Sequence, residues 1–445
     1  MTFEDTLAAW LVKQRWFAGK GRTVHDLAVV ADTEIIPGDP GLRHLMVTVS
    51  HGATCDCYQL LVGYRARLPA RLRHARIGTH DGLQIYDGLH DADLTRELLD
   101  AMAAERTVGL LRFCRVPGAE LETGLDSLVL TGEQSNTSLV FGESAILKVF
   151  RRVHAGPNPD LEVATALAQL GSSHIAEPFG WVETRMDGAT TVLAILSRYL
   201  RAASDGWSLA ATSVRDLYAT ADGTRATEAG GDFGGEAERL GAATAQVHRD
   251  LADAFGHSEL EPEAIRELAE QMFRRLDLAI ATVPELAPYA DKAGDAYSQL
   301  AKLIEPIPAQ RVHGDYHLGQ VMRTQTGWVV LDFEGEPASP LAQRRARSSP
   351  LRDVAGMLRS FDYAARHQLV THPEAAHLAV KAGDWVRRNS DAFGAGYAAA
   401  GGLDPAQNSV VLRAMLLDKA VYEVVYEARN RPTWVPIPLE SIAEL

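Results

Sequence analysis

Residues 311–337 read RVHGDYHLGQVMRTQTGWVVLDFEGEP, a pattern that predicts a strand, a polar loop, a second strand and an acidic loop. Asp315 lies in the polar loop, and the apolar run 328–331 ends at Asp332. The two aspartates are seventeen positions apart, and Gln320 follows Asp315 by five positions. Because each aspartate stands at the rim of a short apolar strand, we expect the three side chains to converge on one spot.

These groups match what phosphoryl transfer from ATP requires. One carboxylate orients the attacking hydroxyl and accepts its proton, while a second carboxylate and an oxygen ligand bind Mg²⁺. Protein kinases use HRD, an Asn five residues after that Asp, and DFG. Here the spacing is kept, with Gln320 in place of the Asn and DFE in place of DFG. The alternative, a hairpin with merely solvated acids, requires no such spacing.

The composition limits the classes of protein that fit. A chain of 445 residues with 46% hydrophobic residues can form two or three domains with a large core. No apolar run approaches the ~20 residues of a membrane span, and the first sixteen residues lack the apolar segment of a signal peptide. The net charge of −14 argues against nucleic acid or an anionic membrane as partner. We therefore expect a cytoplasmic protein.

Residues 1–88 predict a first unit with one helix and a small antiparallel sheet. The helix covers 3–12, and strand-like alternation follows at 26–36, 43–49 and 57–64. Trp16 and Phe17 fit either an interaction patch or packing between the helix and the sheet, and we favour packing.

Residues 89–200 predict a second unit that binds nucleotide. Lys148 lies inside an apolar strand, as in the VAIK strand of kinases, and Glu162 in the following helix is its natural partner. The alternative is an exposed lysine on an edge strand. The preceding loop can offer backbone N–H groups and hydroxyls to phosphates. Its candidate residues are Gln134, Ser135, Asn136, Thr137 and Ser138.

Residues 201–445 predict a mostly helical third unit. Tyr422 and Tyr426 are four positions apart on the predicted helix 405–428, so they share one helical face, and Arg429 follows the helix. Rings beside charged groups suit a sugar site, although packing between helices is the alternative. The motif HRDL at 248–251 lies within a helical pattern, so we reject it as the catalytic loop. We expect Arg352 and Asp353 to brace the loop that contains Asp315.

Several segments together resemble the actinobacterial maltokinases of the kinase-like aminoglycoside phosphotransferase superfamily. They are QRWFAGKGR, EQSNTS, AILKVFRRV, HGDYHLGQ, LDFEGEP, LRDVAGMLRS and YEVVYEARNRPTWVPIPL. The resemblance implies an α+β, bilobal, protein-kinase-like fold with an N-terminal α/β cap. The cap would be residues 1–88, the nucleotide-binding subdomain 89–200 and the helical lobe 201–445.

The resemblance also implies an activity, the ATP- and Mg²⁺-dependent phosphorylation of maltose to maltose 1-phosphate for α-glucan synthesis from trehalose. By position, Asp315 matches the catalytic base, Gln320 and Asp332 the metal ligands, and Lys148 and Glu162 the phosphate-binding pair. The residues that match the sugar site are His317, Glu334, Tyr422, Tyr426 and Arg429.

Two alternatives stay open. Related glucosamine kinases share the cap and the core, and four acidic residues would suit an ammonium group as well as hydroxyls: Glu334, Glu336, Glu423 and Glu427. A remote alternative is a non-catalytic kinase-like module that docks on a trehalose-metabolising enzyme through its cap.

Overall fold

The computed structural model describes residues 2–19, 24–52, 54–130, 135–336, 339–372 and 374–445. The chain divides into two compact units. The first comprises Met1–Thr165 and Ala176–Arg201, and the second comprises Ala166–Ile175 and Ala202–Leu445.

The secondary structure mixes helices and antiparallel strands. The helices are α1 (Phe3–Leu11), α2 (Ala92–Ala103), α3 (Pro159–Gln169), α4 (Gly206–Tyr218), α5 (Gly234–Phe255), α6 (Pro262–Thr282), α7 (Ala290–Ala301), α8 (Leu341–Arg344), α9 (Leu351–Arg366), α10 (Ala375–Ala399), α11 (Ser409–Asn430) and α12 (Pro436–Glu444). The strands are β1 (Asp26–Ile36), β2 (Gly41–His51), β3 (Thr54–Arg65), β4 (Arg76–His80), β5 (Leu83–Asp87), β6 (Thr107–Val108), β7 (Leu111–Arg115), β8 (Ser127–Val129), β9 (Thr137–Phe141), β10 (Ala145–Val149), β11 (Arg152–Val153), β12 (Pro178–Met186), β13 (Ala189–Arg198), β14 (Ser204–Asp205), β15 (His257–Leu260), β16 (Ile307–Gln310), β17 (Val321–Arg323) and β18 (Trp328–Val330).

The first unit contains two sheets. The N-terminal sheet has the order β1-β2-β3-β5-β4, with β11 paired to β3, and the larger sheet has the order β6-β7-β12-β13-β10-β9-β8. Helix α1 begins with a capping box between Thr2 and Asp5. Trp16 and Phe17 are buried and pack against Tyr58 of β3. The packing interpretation of these two aromatic residues is therefore confirmed.

Buried polar contacts join the two sheets of the first unit. Gln59 on β3 donates from Nε2 to the carbonyls of Phe150 and Leu193, each at 2.6 Å. Arg151, 1% exposed, lies 2.5 Å from the Asp87 carboxylate. Because buried polar groups tolerate few arrangements, these bonds define how the N-terminal sheet docks on the larger one.

The second unit positions the segment that contains Asp315, Gln320 and Asp332. Strand β16 leads into the loop containing Asp315, and a short 3-10 turn, Leu318–Gln320, leads into β17. Strands β14, β17 and β18 form one sheet, and β18 ends just before Asp332. The predicted polar and acidic loops and the strand between them are found. The strand before the polar loop ends at Gln310, and β17 is an additional strand between the polar loop and β18.

Some element ends differ from the sequence-based expectation. The sequence pattern predicts a helix over 93–107, whereas α2 ends at Ala103, because Glu105 has a φ of +50°, which no right-handed helix accommodates. Helix α11 extends to Asn430, so Arg429 lies in its last turn rather than after it. None of the helices in the described ranges combines the length and the hydropathy that a bilayer span requires.

Candidate active site

The loop that carries Asp315 is fixed by a buried carboxylate on α9. Asp353, 1% exposed, accepts hydrogen bonds from the backbone N–H groups of His313 at 2.7 Å and Gly314 at 2.8 Å. Its Oδ2 also lies 3.0 Å from His248 Nε2. Burial opposes ionisation, but the bond and charge of His248 outweigh it and lower the pKa of Asp353. The expected brace is thus Asp353 acting on the loop backbone.

Helix α9 also approaches this loop closely at Gly356. A Cβ at that position would stand 2.5 Å from the Tyr316 carbonyl oxygen, so only glycine fits there without displacement. The hydroxyl of Tyr316 lies 2.8 Å from Thr244 Oγ1 on α5. Helix α9 therefore packs against the backbone of this loop, and the Tyr316 side chain links the loop to α5.

The HRDL motif lies within helix α5, so it supports the structure and does not form a second catalytic loop. His248 is buried inside α5, and its Nδ1 lies 2.8 Å from the hydroxyl of Tyr397. Its backbone carbonyl accepts a bond from Gln310 Nε2 at 2.5 Å. Tyr397 therefore orients the imidazole that contacts Asp353, and Gln310 bonds the backbone of the same residue.

Gln320 and Asp332 lie together, as the spacing predicts. Gln320 Nε2 donates to Asp332 Oδ2 at 3.2 Å, and the N–H of Leu331 donates to the Gln320 carbonyl at 2.9 Å. Asp332 has a φ of +66°, a left-handed conformation that is unfavourable for an aspartate and is typical of functional positions. A carboxylate oxygen of Glu334 lies within 4.8 Å of one from Asp332. Amide and carboxylate oxygens of this kind suit Mg²⁺.

The Asp315 carboxylate has a neighbour that the sequence interpretation missed. Lys419 on α11 places its Nζ 3.5 Å from Asp315 Oδ1 and 3.5 Å from Glu336 Oε2. The same Nζ lies 5.0 Å from the centroid of the Tyr422 ring. The spacing in the sequence indicates that Lys419 accompanies Tyr422, because it precedes Tyr422 by three positions and therefore shares its helical face.

Tyr422 and Tyr426 form an aromatic pair on that face. Their ring centroids are 6.2 Å apart in a stacked arrangement, and Tyr426 is 44% exposed. The Tyr422 hydroxyl donates to Glu336 Oε1 at 3.0 Å, and burial raises the pKa of this phenol, which keeps it a donor. Arg429 is exposed, whereas Arg431 lies 5.7 Å from the Tyr426 ring centroid.

His317 lies at the start of the 3-10 turn. Its Nδ1 accepts the N–H of Gly319 at 3.0 Å. Burial lowers the pKa of His317, with an opposing contribution from Asp315. A neutral imidazole with Nδ1 occupied leaves Nε2 as the nitrogen that can bond a ligand.

The nucleotide candidates belong to the first unit. Lys148 on β10 places Nζ 3.6 Å from Asp160 Oδ2, a carboxylate that the sequence interpretation did not single out. Asn158 caps α3 by accepting the N–H of Leu161 at 3.0 Å, and Glu162 lies in the first turn of that helix.

The loop before β9 is described only in part. Gln134 lies outside the described residues, Ser135 and Asn136 form a bend, and Thr137 and Ser138 begin β9. The Thr137 hydroxyl accepts a bond from Arg151 Nε at 2.8 Å. Thr137 is therefore engaged by the contact network that joins the two sheets of the first unit.

Comparison with known proteins places this chain in a family. The family model for the maltokinase N-terminal cap domain matches residues 10–91. A glucosamine kinase of Streptacidiphilus jiangxiensis is 30% identical over 370 residues, covering 78% of this chain and 81% of the relative. The chain belongs to the glucosamine kinase family. A second glucosamine kinase, from Mycolicibacterium smegmatis, is 29% identical over 323 residues, covering 71% of this chain and 78% of the relative.

Solved structures agree with the family in fold. A glucosamine kinase in complex with glucosamine, ADP and inorganic phosphate superposes with a TM-score of 0.68 at 23% identity, covering 100% of this chain and 99% of that chain. Crystal form B of a glucosamine kinase gives the same TM-score at 24% identity, with the same coverage. The predicted kinase-like α+β fold with an N-terminal cap is confirmed, and the chain is an ATP-dependent carbohydrate kinase.

Proposed function

We propose that this kinase transfers the γ-phosphoryl group of ATP to the anomeric hydroxyl of maltose and so supplies maltose 1-phosphate for α-glucan synthesis from trehalose. The match of residues 10–91 to the maltokinase cap supports a sugar kinase, but related glucosamine kinases share that cap, so the choice of maltose rests on the candidate sugar site. The stacked pair of Tyr422 and Tyr426 supports it, because two rings 6.2 Å apart offer an extended apolar surface to a disaccharide.

In this proposal the Asp315 carboxylate accepts the proton of the attacking hydroxyl. Its backbone is fixed through Asp353, so the carboxylate keeps its direction without rearrangement during the reaction. Gln320 and Asp332 would bind Mg²⁺, which supplies positive charge that offsets the charge of the phosphates. Their hard oxygen atoms fit this ion.

The nucleotide phosphates would contact Lys148, whose Nζ lies 3.6 Å from Asp160 Oδ2. Asp160 and Glu162 both lie in the first turn of α3. The backbone and hydroxyl groups of residues 135–138 would cover the phosphates.

The acceptor would lie against Tyr422 and Tyr426, with polar groups for its hydroxyls. The candidates for those hydroxyls are His317, Glu334 and Arg429. Hydroxyl-rich ligands require such convergent donors and acceptors, because a buried polar group without a partner weakens binding.

Glucosamine is the second candidate acceptor, supported by the two glucosamine kinase relatives. The test is ATP consumption by the purified protein with Mg²⁺ and maltose, glucosamine, glucose or an aminoglycoside. Turnover with maltose that yields a product without a reducing end supports the proposal. Turnover with glucosamine but not with maltose overturns it. Cytoplasmic location and docking on a trehalose-metabolising enzyme stay predictions.

A further inference from the structure

Three of the four acidic residues that would suit an ammonium group, Glu336, Glu423 and Glu427, already have cations within the chain. Lys419 Nζ lies 3.5 Å from Glu336. Arg359 Nη2 lies 2.7 Å from Glu423, and both side chains are buried. These pairs matter because Glu336 and Glu423 were among the carboxylates that appeared suited to an aminosugar.

Glu427, another of those carboxylates, is also paired. Arg431 Nη2 lies 2.6 Å from its Oε1, and the Glu427 side chain is 1% exposed. The hydroxyl of Tyr363 donates to the same oxygen at 3.2 Å. A charge that is paired and desolvated in this way is not available to a ligand ammonium.

Lys419 differs from these arginines because it also contacts the proposed base. Its Nζ is 3.5 Å from Asp315 Oδ1, and its side chain is 29% exposed, so it stands at the edge of the site. Burial opposes its charge, but Asp315, Glu336 and Glu423 outweigh burial and raise the pKa of Lys419. The site therefore contains a protonated amine between the partly exposed carboxylates of Asp315 and Glu336.

We propose that Lys419 is a specificity-determining residue that occupies the ammonium position of the acceptor site, so that the kinase favours neutral sugars over aminosugars. A second ammonium bonded at ~3 Å to either oxygen that Lys419 contacts would lie no more than about 6.5 Å from Nζ. At that separation two like charges repel, and displacing Lys419 would leave a partly buried cation without its partners. A sugar hydroxyl carries no such cost, because it can accept from Lys419 and donate to Glu336. This inference rests on the proposed function.

Glucose and glucosamine are matched probes, because they differ only at C2, where a hydroxyl replaces the amine. The measurement is kcat/KM for each sugar, and the dissociation constant by calorimetry where turnover is slow. Wild-type protein is expected to favour glucose at least tenfold at pH 6.5, and less so at pH 9, where more of the aminosugar is neutral. This pH comparison requires no variant, so misfolding of a variant cannot leave the inference untested.

The variant Lys419→Gln removes the charge and keeps a donor. It is expected to shift the glucosamine-to-glucose ratio towards glucosamine at least tenfold and to flatten its dependence on pH. Lys419→Arg retains the charge and is expected to retain the preference for glucose. Lys302→Gln removes one charge from an exposed lysine at the end of α7 and serves as the control, with an unchanged ratio.

The outcomes separate this inference from the proposed function. Maltose turnover with a ratio that Lys419→Gln leaves within twofold of wild type overturns the role of Lys419 alone. Failure with maltose, together with the expected ratio change, overturns only the choice of maltose. An equal loss of kcat for both sugars in Lys419→Gln identifies a positioning role instead and also overturns the inference.

Discussion

Replacing Asp353 by asparagine tests whether this buried carboxylate positions the catalytic loop. Its Oδ1 accepts from Gly314, and its Oδ2 accepts from both His313 and His248. An asparagine keeps one oxygen, and its NH₂ group must face at least one N–H donor. Hydrogen bonds to a charged group contribute about 1.5–3 kcal/mol each, whereas bonds to a neutral group contribute about 1 kcal/mol.

Asp353→Asn therefore loses one charge-assisted bond and weakens the other two, which gives about 3–5 kcal/mol of lost stability. That is a large part of the ~5–15 kcal/mol of a typical domain, and Tm is expected to fall by roughly 10 °C. Because the loop backbone is displaced, kcat is expected to fall about 10²-fold, with nucleotide affinity little changed. Thermal unfolding and steady-state kinetics measure the two effects.

Asp362→Asn is the matched control on the same helix. Asp362 is buried as well, and its two oxygens accept from Arg366 at 2.7 Å and Arg359 at 2.8 Å. The control is expected to lose comparable stability while keeping kcat within a few-fold of wild type. An unchanged kcat in Asp353→Asn, or an equal loss of kcat in the control, would refute the positioning role.

The pH dependence has a definite sign. Because folding lowers the pKa of Asp353, its contribution to stability is complete above the ordinary value of 3.8 and is lost as the pH falls through the folded value. The difference in unfolding free energy between wild type and Asp353→Asn is therefore expected to shrink below pH ~4. Urea titrations at several pH values measure this difference, and one that stays constant down to pH 3 contradicts the reasoning.

Three further changes have expected outcomes. Asp315→Asn should lower kcat about 10²- to 10⁴-fold and leave the ATP dissociation constant within about threefold, as single-turnover and calorimetric measurements would show; retained turnover rules out the base. Arg151→Met should leave Asp87 buried without its cation and cost about 3–5 kcal/mol in urea unfolding, and a loss below 1 kcal/mol counts against the docking role of the pair. Tyr422→Phe removes the bond to Glu336 and should raise the acceptor KM about 5- to 10-fold, and an unchanged KM excludes that contact from sugar binding.

The local part of this structure was accessible from sequence. Asp315, Gln320 and Asp332 were predicted together because strand alternation and loop spacing are short-range properties, and the structure brings Gln320 and Asp332 within hydrogen-bond distance. The ends of elements were harder to predict. Helix α2 ends before Glu105, whose left-handed conformation no residue pattern in the sequence indicates.

The supporting contacts were not accessible in the same way. The bond between His248 and Asp353 joins residues more than a hundred positions apart. The sequence marks His248 only as part of an HRDL motif, which suggests a catalytic loop and not a supporting contact. The contact of Lys419 with Asp315 was not predicted, because a lysine on an amphipathic helix is usually solvated. Only the packing of α11 beside the loop shows that its ammonium lies 3.5 Å from Asp315.

The choice of acceptor illustrates why charge composition is a weak guide to a site. The chain has a net charge of −14, and acidic residues cluster on α11, which favours an ammonium ligand if each acid is counted as available. Glu423 is paired with Arg359, Glu427 with Arg431 and Glu336 with Lys419, so these three acids already have a cation within the chain. The proposed acceptor site therefore presents the Lys419 ammonium beside its carboxylates, and this arrangement is the reason that we propose a neutral sugar as acceptor.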